Sequence, residues 1–173
     1  MFEISPFDPE IYRRQTRRIA MLLLLIFAAL AMALSTAAVM LFGSAEADNF
    51  RWNLGGVLVG LLLTIALVRF KLWSQPWMAP AVYGWRLKRS LMRVTNAMHR
   101  VTRGVEAGDP LAMQVLRFYH LGLTQMHQLD GNSSGLSQMV REIDAHRERM
   151  LALGLDIEQT RFEPSWIETL KKT

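Results

Sequence analysis

The sequence contains no cysteine, and this absence is the first constraint on its chemistry. It excludes disulfide bonds, a thiolate nucleophile, cysteine-ligated zinc and cysteine-ligated iron–sulfur clusters. Glycine-rich phosphate loops and Gly-x-Ser-x-Gly elbows are missing as well, and no strand is apparent that could carry one. We therefore predict no catalytic residue and no cofactor.

Charge is absent from two long stretches, Ile19 to Phe42 with 24 residues and Leu54 to Val68 with 15 residues. The first would form a helix about 36 Å long, which exceeds the ~30 Å hydrocarbon core of a bilayer. A cleaved export signal would have a shorter apolar region of about 7 to 15 residues, followed by polar sequence. The pattern therefore favours a membrane anchor over residues 19–42 rather than a signal or a soluble core helix.

The second stretch is short, but aromatic residues extend it on both sides. Phe50 and Trp52 precede it and Phe70 and Trp73 follow it, which is typical of a membrane interface. Residues 50–70 are then long enough to span, and the two spans form a hairpin. Because the uncharged stretches hold no ionisable side chain, and ion pathways normally need one, the hairpin is predicted to be an anchor rather than a transporter. A pore formed by several copies is the alternative, but no residue in the spans supports it.

Positively charged residues are concentrated at one end of the hairpin. The hairpin loop carries Arg51 beside Glu46 and Asp48, whereas Lys and Arg concentrate at the outer ends of both spans. Loops rich in Lys and Arg stay cytoplasmic, so both termini are predicted to be cytoplasmic. The residues predicted to lie near anionic lipid headgroups are Arg13, Arg14, Arg17, Arg18, Arg69, Lys71, Arg86, Lys88 and Arg89. No nucleic-acid partner is predicted, since acidic residues dilute this basic cluster.

Small residues recur at helical spacing in both spans. They are Ala29, Ala33 and Ala37 in the first span, and Gly56 and Gly60 in the second. Small residues let helix backbones approach closely in lipid. These five are predicted to pack the two helices of one hairpin together, and a dimer interface through the two glycines is the alternative.

A proline-containing linker over residues 74–81 is predicted to separate the hairpin from an amphipathic helix. One face of that helix carries an apolar seam with spacings of three and four residues. The residues of this seam are Leu87, Leu91, Val94, Met98 and Val101. The seam predicts packing inside a small helical domain or, alternatively, association between two copies of the chain.

Turn and capping residues divide the rest of the chain into further helices. Gly108-Asp109-Pro110 ends one helix and starts the next, a third runs from about Leu136 to near Gly154, and a short fourth begins at Pro164. The predicted fold class is all-α, a two-helix transmembrane hairpin followed by a cytoplasmic bundle of three to four helices. The predicted domains are a basic N-terminal segment 1–18, the hairpin 19–73, the linker 74–81 and the helical domain 82–173.

Histidine offers the only candidate metal chemistry. His120 and His127 are seven residues apart and so share one helix face. Metal sites in helical bundles usually show Glu-x-x-His or His-x-x-x-His spacing, which is missing here. No bound metal is therefore predicted, and a metal-dependent enzyme centred on these two residues remains a minor alternative.

Four segments point to a known family: residues 12–18 (YRRQTRR), 33–43 (ALSTAAVMLFG), 153–156 (LGLD) and 161–166 (RFEPSW). They resemble those of an uncharacterised family of two-helix inner-membrane proteins from gammaproteobacteria. The similarity covers nearly the whole chain. The resemblance implies a bacterial inner membrane, and it supplies no catalytic residue because the family has no established activity.

The function expected from the sequence is that of a non-enzymatic membrane protein. Its cytoplasmic helical domain would bind another protein or a second copy of the chain, beside a bilayer with anionic headgroups. An accessory subunit of a transport or secretion complex is the alternative. This expectation follows from an anchor-like hairpin joined to a helical tail that is poor in reactive groups.

Overall fold

The computed structural model describes residues 1–46, 48–132 and 139–170, and within them the fold is all-α. The chain divides into two compact units. The first, called here the hairpin unit, is Arg14–Val82. The second, the helical unit, combines Met1–Arg13 with Tyr83–Thr173.

Two long apolar helices dominate the hairpin unit. Helix α1 is Pro9–Phe42 and helix α2 is Phe50–Leu67, continued by a π-helical segment, Val68–Leu72. The sequence predicts the first helix from residue 19, and the structure extends it by ten residues. Asp8 explains the earlier start, because its Oδ1 accepts hydrogen bonds from the backbone N–H groups of Glu10 and Ile11.

The loop between these helices is closed by polar side chains. Asn49 donates from Nδ2 to the Ser44 carbonyl oxygen at 2.9 Å and accepts from the Ser44 N–H at 3.1 Å. Asp48 accepts from the backbone N–H of Phe50 at 2.8 Å. At the start of α2, the side-chain contact to the helix backbone is therefore made by Asp48.

The segment predicted as a linker folds into helix. Gln75 adopts an extended conformation ahead of Pro76, because proline disfavours helical geometry in the residue before it. A 3-10 helix, Pro76–Met78, then leads directly into helix α3, Ala79–Thr95. Residues 74–81 therefore do not form an open linker in this structure.

In its described residues, the helical unit has four further helices after α3. They are α4 (Met98–Glu106), α5 (Pro110–Asp130), α6 (Val140–Ala152) and α7 (Pro164–Thr169). The seam predicts one continuous helix through residues 87–101, whereas the structure breaks it between α3 and α4. The predicted start of α5 is confirmed, since Asp109 accepts from the Leu111 N–H at 2.8 Å and proline follows it. The start of the third predicted helix, near Leu136, lies outside the described residues.

The N-terminal segment belongs to the core of the helical unit. Strand β1 (Phe2–Glu3) pairs antiparallel with β2 (Arg161–Phe162), with Phe2 opposite Phe162. Phe162 stacks on Phe118 with ring centroids 4.9 Å apart, and Phe2 meets Phe118 edge-on at 6.2 Å. Residues 1–18 are predicted from the sequence to be a separate basic segment, but residues 1–13 pack in the helical unit through their aromatic side chains.

Candidate functional site

The two predicted glycines lie in the contact between α1 and α2. Gly56 and Gly60 are buried, and Gly56 lies against the backbone of Ser35. A Cβ added to Gly60 would come within 2.9 Å of Ala31 Cα, closer than such atoms normally approach. The glycines therefore pack the hairpin against itself, as in the leading prediction.

The three predicted alanines are placed differently. Ala29, Ala33 and Ala37 are exposed, whereas Ala31 is buried against α2. The reason is helical geometry, since a shift of two residues turns a side chain by about 200° around the helix axis. The alanine repeat therefore lies on the outward face and Ala31 and Ser35 form the contact.

A polar contact that the sequence does not reveal also joins the two helices. Ser35 Oγ donates to Asn53 Oδ1 at 2.7 Å. Near the loop, Phe42 and Trp52 stack with ring centroids 5.1 Å apart, and the Arg51 guanidinium lies 5.0 Å from the Trp52 ring centroid. An aromatic cluster of this kind is typical of the end of a membrane span.

The predicted association seam lies inside the helical unit. Leu87, Leu91, Val94 and Val101 are each at most 4% exposed, and Met98 packs against the same core. These side chains are therefore used within the chain, which agrees with the domain-packing interpretation of the seam. They are not available as an exposed surface for a second copy.

The predicted basic residues have several different environments. Arg13 donates to the Gln128 carbonyl oxygen at 3.2 Å, Lys88 pairs with Asp130 at 3.0 Å, and Arg89 lies over the Trp85 ring at 4.8 Å. Within the described parts of the chain, no ion pair involves the following residues: Arg14, Arg17, Arg18, Arg69, Lys71 and Arg86. This second group remains available to an external anion.

Two histidines meet in the interior of the helical unit. His120 of α5 is 1% exposed, His146 of α6 is 6% exposed, and their ring centroids are 5.3 Å apart. His127 is about 10 Å further along the α5 axis, because helical residues rise by about 1.5 Å each. The structure therefore brings His120 together with His146 and not with His127.

The hydrogen bonding of this pair defines its chemistry. His146 Nε2 donates to the Met113 carbonyl oxygen at 3.0 Å, which leaves Nδ1 of that ring as an acceptor. Nδ1 of His120 is buried and has no hydrogen-bond partner among the described residues. His120 Nδ1 is therefore a buried polar atom whose hydrogen-bonding capacity is unused within the described residues.

Burial keeps both imidazoles neutral near pH 7. Desolvation, followed by the charges of His146 and Arg117, lowers the pKa of His120 to about 4. Desolvation also lowers the pKa of His146, although its hydrogen bond to Met113 acts in the opposite direction. The pair consequently offers neutral hydrogen-bonding groups and not positive charge.

The pair lines a cleft between α4, α5 and α6 with a volume of about 490 Å³. We call this the histidine cleft, and its lining residues are Met98, Thr102, Val105, Glu106, Leu116, Tyr119, His120, Met139, Glu142, Ala145, His146 and Arg149. Its volume lies in the range of small-ligand pockets. In the parts of the chain that the structure describes, His, Asp and Glu side chains form no group of three or more that could hold a metal ion.

Comparison with known proteins identifies the family of the chain. The family described as "Protein of unknown function (DUF3087)" matches residues 2–167. The chain belongs to this family. The match covers both the hairpin unit and the helical unit, so the two units are parts of one family architecture. No curated protein and no solved structure matches the chain.

The pairing of His120 with His146 is not predicted from the sequence. His120 lies one turn after the apolar residue Leu116 and three residues before Leu123, which marks it as a residue on an inward face. That pattern was available in the sequence. The identity of its neighbour was not, because His146 lies on a different helix from His120.

Proposed function

We propose that this protein is a two-span membrane protein of the bacterial inner membrane that holds a helical binding unit at the cytoplasmic surface. The observation that carries the proposal is the outward exposure of apolar side chains on both long helices. Leu24, Leu25, Met32, Leu62 and Ile65 are each more than half exposed. In a soluble protein such residues would be buried, since burying each one is worth about 1.5–3 kcal/mol.

The extent of exposure favours a membrane span over a buried core helix. Only 11% of the most apolar 18-residue window in Pro9–Phe42 is buried, and 17% of that in Phe50–Leu72. A bilayer would remove this surface from water and satisfy the backbone through helical hydrogen bonds. The expected orientation, with both termini cytoplasmic, follows from the positive charge at the outer ends of the spans.

Alkaline carbonate extraction of membranes from expressing cells tests the anchor. The full chain is expected to stay in the membrane pellet and to be released only by detergent. Release of most of the protein into the alkaline supernatant would contradict the proposal, since a peripheral protein dissociates under these conditions while a two-span protein does not.

We propose further that the helical unit acts by binding a partner protein through the histidine cleft. The cleft combines adaptable apolar residues, Met98 and Met139, with the two neutral histidines and Glu142. A cleft of this size can receive one or two anchor side chains, which is how most interfaces gain their affinity. The non-enzymatic role expected from the sequence is part of this proposal.

Ala145 offers a direct test of the cleft. This residue of α6 is exposed and lines the cleft, while Ala152 is exposed on the same helix outside it. A photo-cross-linking residue at position 145 is expected to capture one defined protein in intact cells, and the same residue at position 152 is not. A cross-linked species of twice the chain mass would identify a second copy as the partner.

Binding measurements with purified proteins then test whether the partner binds in the cleft itself or on the surface around it. Ala145→Trp is expected to weaken binding of the captured partner by about tenfold or more, because the indole fills the cleft. Ala152→Trp is the matched control and should bind like the wild type. Equal affinities for the two variants would exclude the cleft. A transport or secretion protein as the captured partner would make the chain an accessory subunit of that complex.

A further inference from the structure

A groove opens in the hairpin unit beside the beginning of the uncharged part of α1. It has a volume of about 460 Å³ and lies between one face of α1 and the segment Pro76–Pro80. Gln15, Arg18, Ile19 and Leu22 line it on the α1 side. These four positions share one helix face, because their spacing is three, one and three residues.

The α1 side of the groove changes from polar to apolar along the helix. Gln15 and Arg18 precede Ile19 and Leu22, and the whole run covers about 10 Å at a rise of ~1.5 Å per residue. An occupant that matches this wall has an anionic or hydrogen-bonding head and an apolar chain. A free inorganic anion would leave the apolar half of the groove without a contact.

The opposite wall is held in place by packing. Met78 is 3% exposed and forms a cluster with Ile19 and Val82, which are also buried. Pro76 and Pro80 have restricted backbone geometry. Trp77 remains 40% exposed at the groove. The groove is therefore formed before any ligand binds, which reduces the entropy lost on binding.

Charge in the groove favours an anion. Arg18 is exposed and makes no ion pair among the described residues, and Arg14 and Arg17 lie within one turn of it. A guanidinium can donate two parallel hydrogen bonds to a phosphate. Arg18 also marks the point where the charged segment meets the apolar run, which is where lipid headgroups lie beside a membrane span.

We propose that this groove is a binding site for one anionic phospholipid. Its phosphate group contacts Arg18 and Gln15, and an acyl chain lies along Ile19 and Leu22 against Trp77. The inference rests on the membrane insertion proposed above and names the lipid class that the hairpin binds. It differs from general attraction between a basic segment and the bilayer, because a single arginine makes the defining contact.

Lipid exchange measured by native mass spectrometry tests the groove. The detergent-solubilised full chain is titrated with phosphatidylglycerol or with phosphatidylcholine, and the fraction that retains one lipid is measured. The wild type is expected to prefer phosphatidylglycerol. Arg18→Gln should reduce that preference about tenfold, since the positive charge that favours an anionic headgroup over a zwitterionic one is lost. Arg17→Gln removes the same charge outside the groove and should change the preference less than about threefold.

Two outcomes would overturn the inference. Equal losses in Arg18→Gln and Arg17→Gln would indicate general charge attraction, and equal retention of both lipids by the wild type would exclude headgroup selection. Brominated phosphatidylglycerol provides a check on the wild-type protein. It should quench part of the tryptophan fluorescence of the wild type, and that quenched part should be missing in Trp77→Phe. A chain that resists alkaline extraction but shows no lipid preference would refute the groove alone, whereas an extractable chain would refute the membrane proposal itself.

Discussion

Gly60 of α2 lies directly against the backbone of Ala31 in α1, so that a single added Cβ would meet Ala31 Cα at 2.9 Å. Helices in lipid gain little from the hydrophobic effect and depend on such close packing. A bulky residue at this position must therefore separate the two helices. The hairpin is held at a contact that involves main-chain atoms, which cannot move aside as a long side chain can.

Gly60→Val is expected to destabilise the hairpin by ~1–3 kcal/mol, the usual cost of overpacking. Gly55 provides the control, because a Cβ added there has no atom within 4 Å. Gly55→Val should therefore have a much smaller effect. Thermal unfolding of both variants in the same detergent, followed by circular dichroism, measures the difference. Equal melting temperatures would contradict the packing described here.

The neutral histidine pair predicts a loss of stability in acid. The pKa of His120 is about 4 in the folded chain and about 6.5 when unfolded, so between these values the unfolded state binds the proton more readily. The contribution of neutral His120 to the free energy of unfolding is fully present above pH 6.5 and is lost as the pH falls towards 4. The loss amounts to ~3 kcal/mol, and the lowered pKa of His146 acts in the same direction.

Urea unfolding of the detergent-solubilised chain at pH 7 and at pH 4.5 measures this effect. His120→Gln should reduce the difference between the two pH values, since glutamine does not titrate. His99 is exposed, and His99→Gln should leave the difference unchanged. A pH dependence that is the same in both variants would exclude the buried pair as its source.

The N-terminal segment is held by a polar contact at Tyr83. Its hydroxyl accepts from the Ser5 N–H at 3.1 Å and is also hydrogen-bonded to the Gln125 side chain. Tyr83→Phe is expected to cost about 1–2 kcal/mol and to make residues 1–8 more sensitive to protease. Tyr119 makes no hydrogen bond of this kind among the described residues, so Tyr119→Phe is the control. Unchanged proteolysis in Tyr83→Phe would contradict the docking of this segment.

The sequence predicts the helices well where local chemistry decides them. Asp109-Pro110 places the start of α5 correctly, and the short helix predicted at Pro164 is confirmed. Asp8 and Pro9 form the same kind of pair and start α1. The sequence nevertheless predicts this helix only from Ile19, because the uncharged run begins at that residue. Helix ends are therefore predictable when a cap and a change of hydropathy coincide.

Long-range contacts account for the features that the sequence does not reveal. The pairing of β1 with β2 joins positions about 160 residues apart, and the two strands contain two residues each. The contact between His120 and His146 also depends on how two separate helices pack. No local periodicity encodes either of these contacts, because each depends on the tertiary arrangement of the helical unit.

The proposed orientation, in which both spans cross the membrane and leave the hairpin loop on the side opposite to the helical unit, can be tested directly. The natural chain has no cysteine, so single-cysteine variants have no labelling background. Ser44 in the loop and Asn96 between α3 and α4 are both exposed. In spheroplasts treated with a membrane-impermeant maleimide, Ser44→Cys is expected to be labelled, and Asn96→Cys only after the membrane is permeabilised. Labelling of both residues in intact spheroplasts, or of neither, would contradict the two-span account.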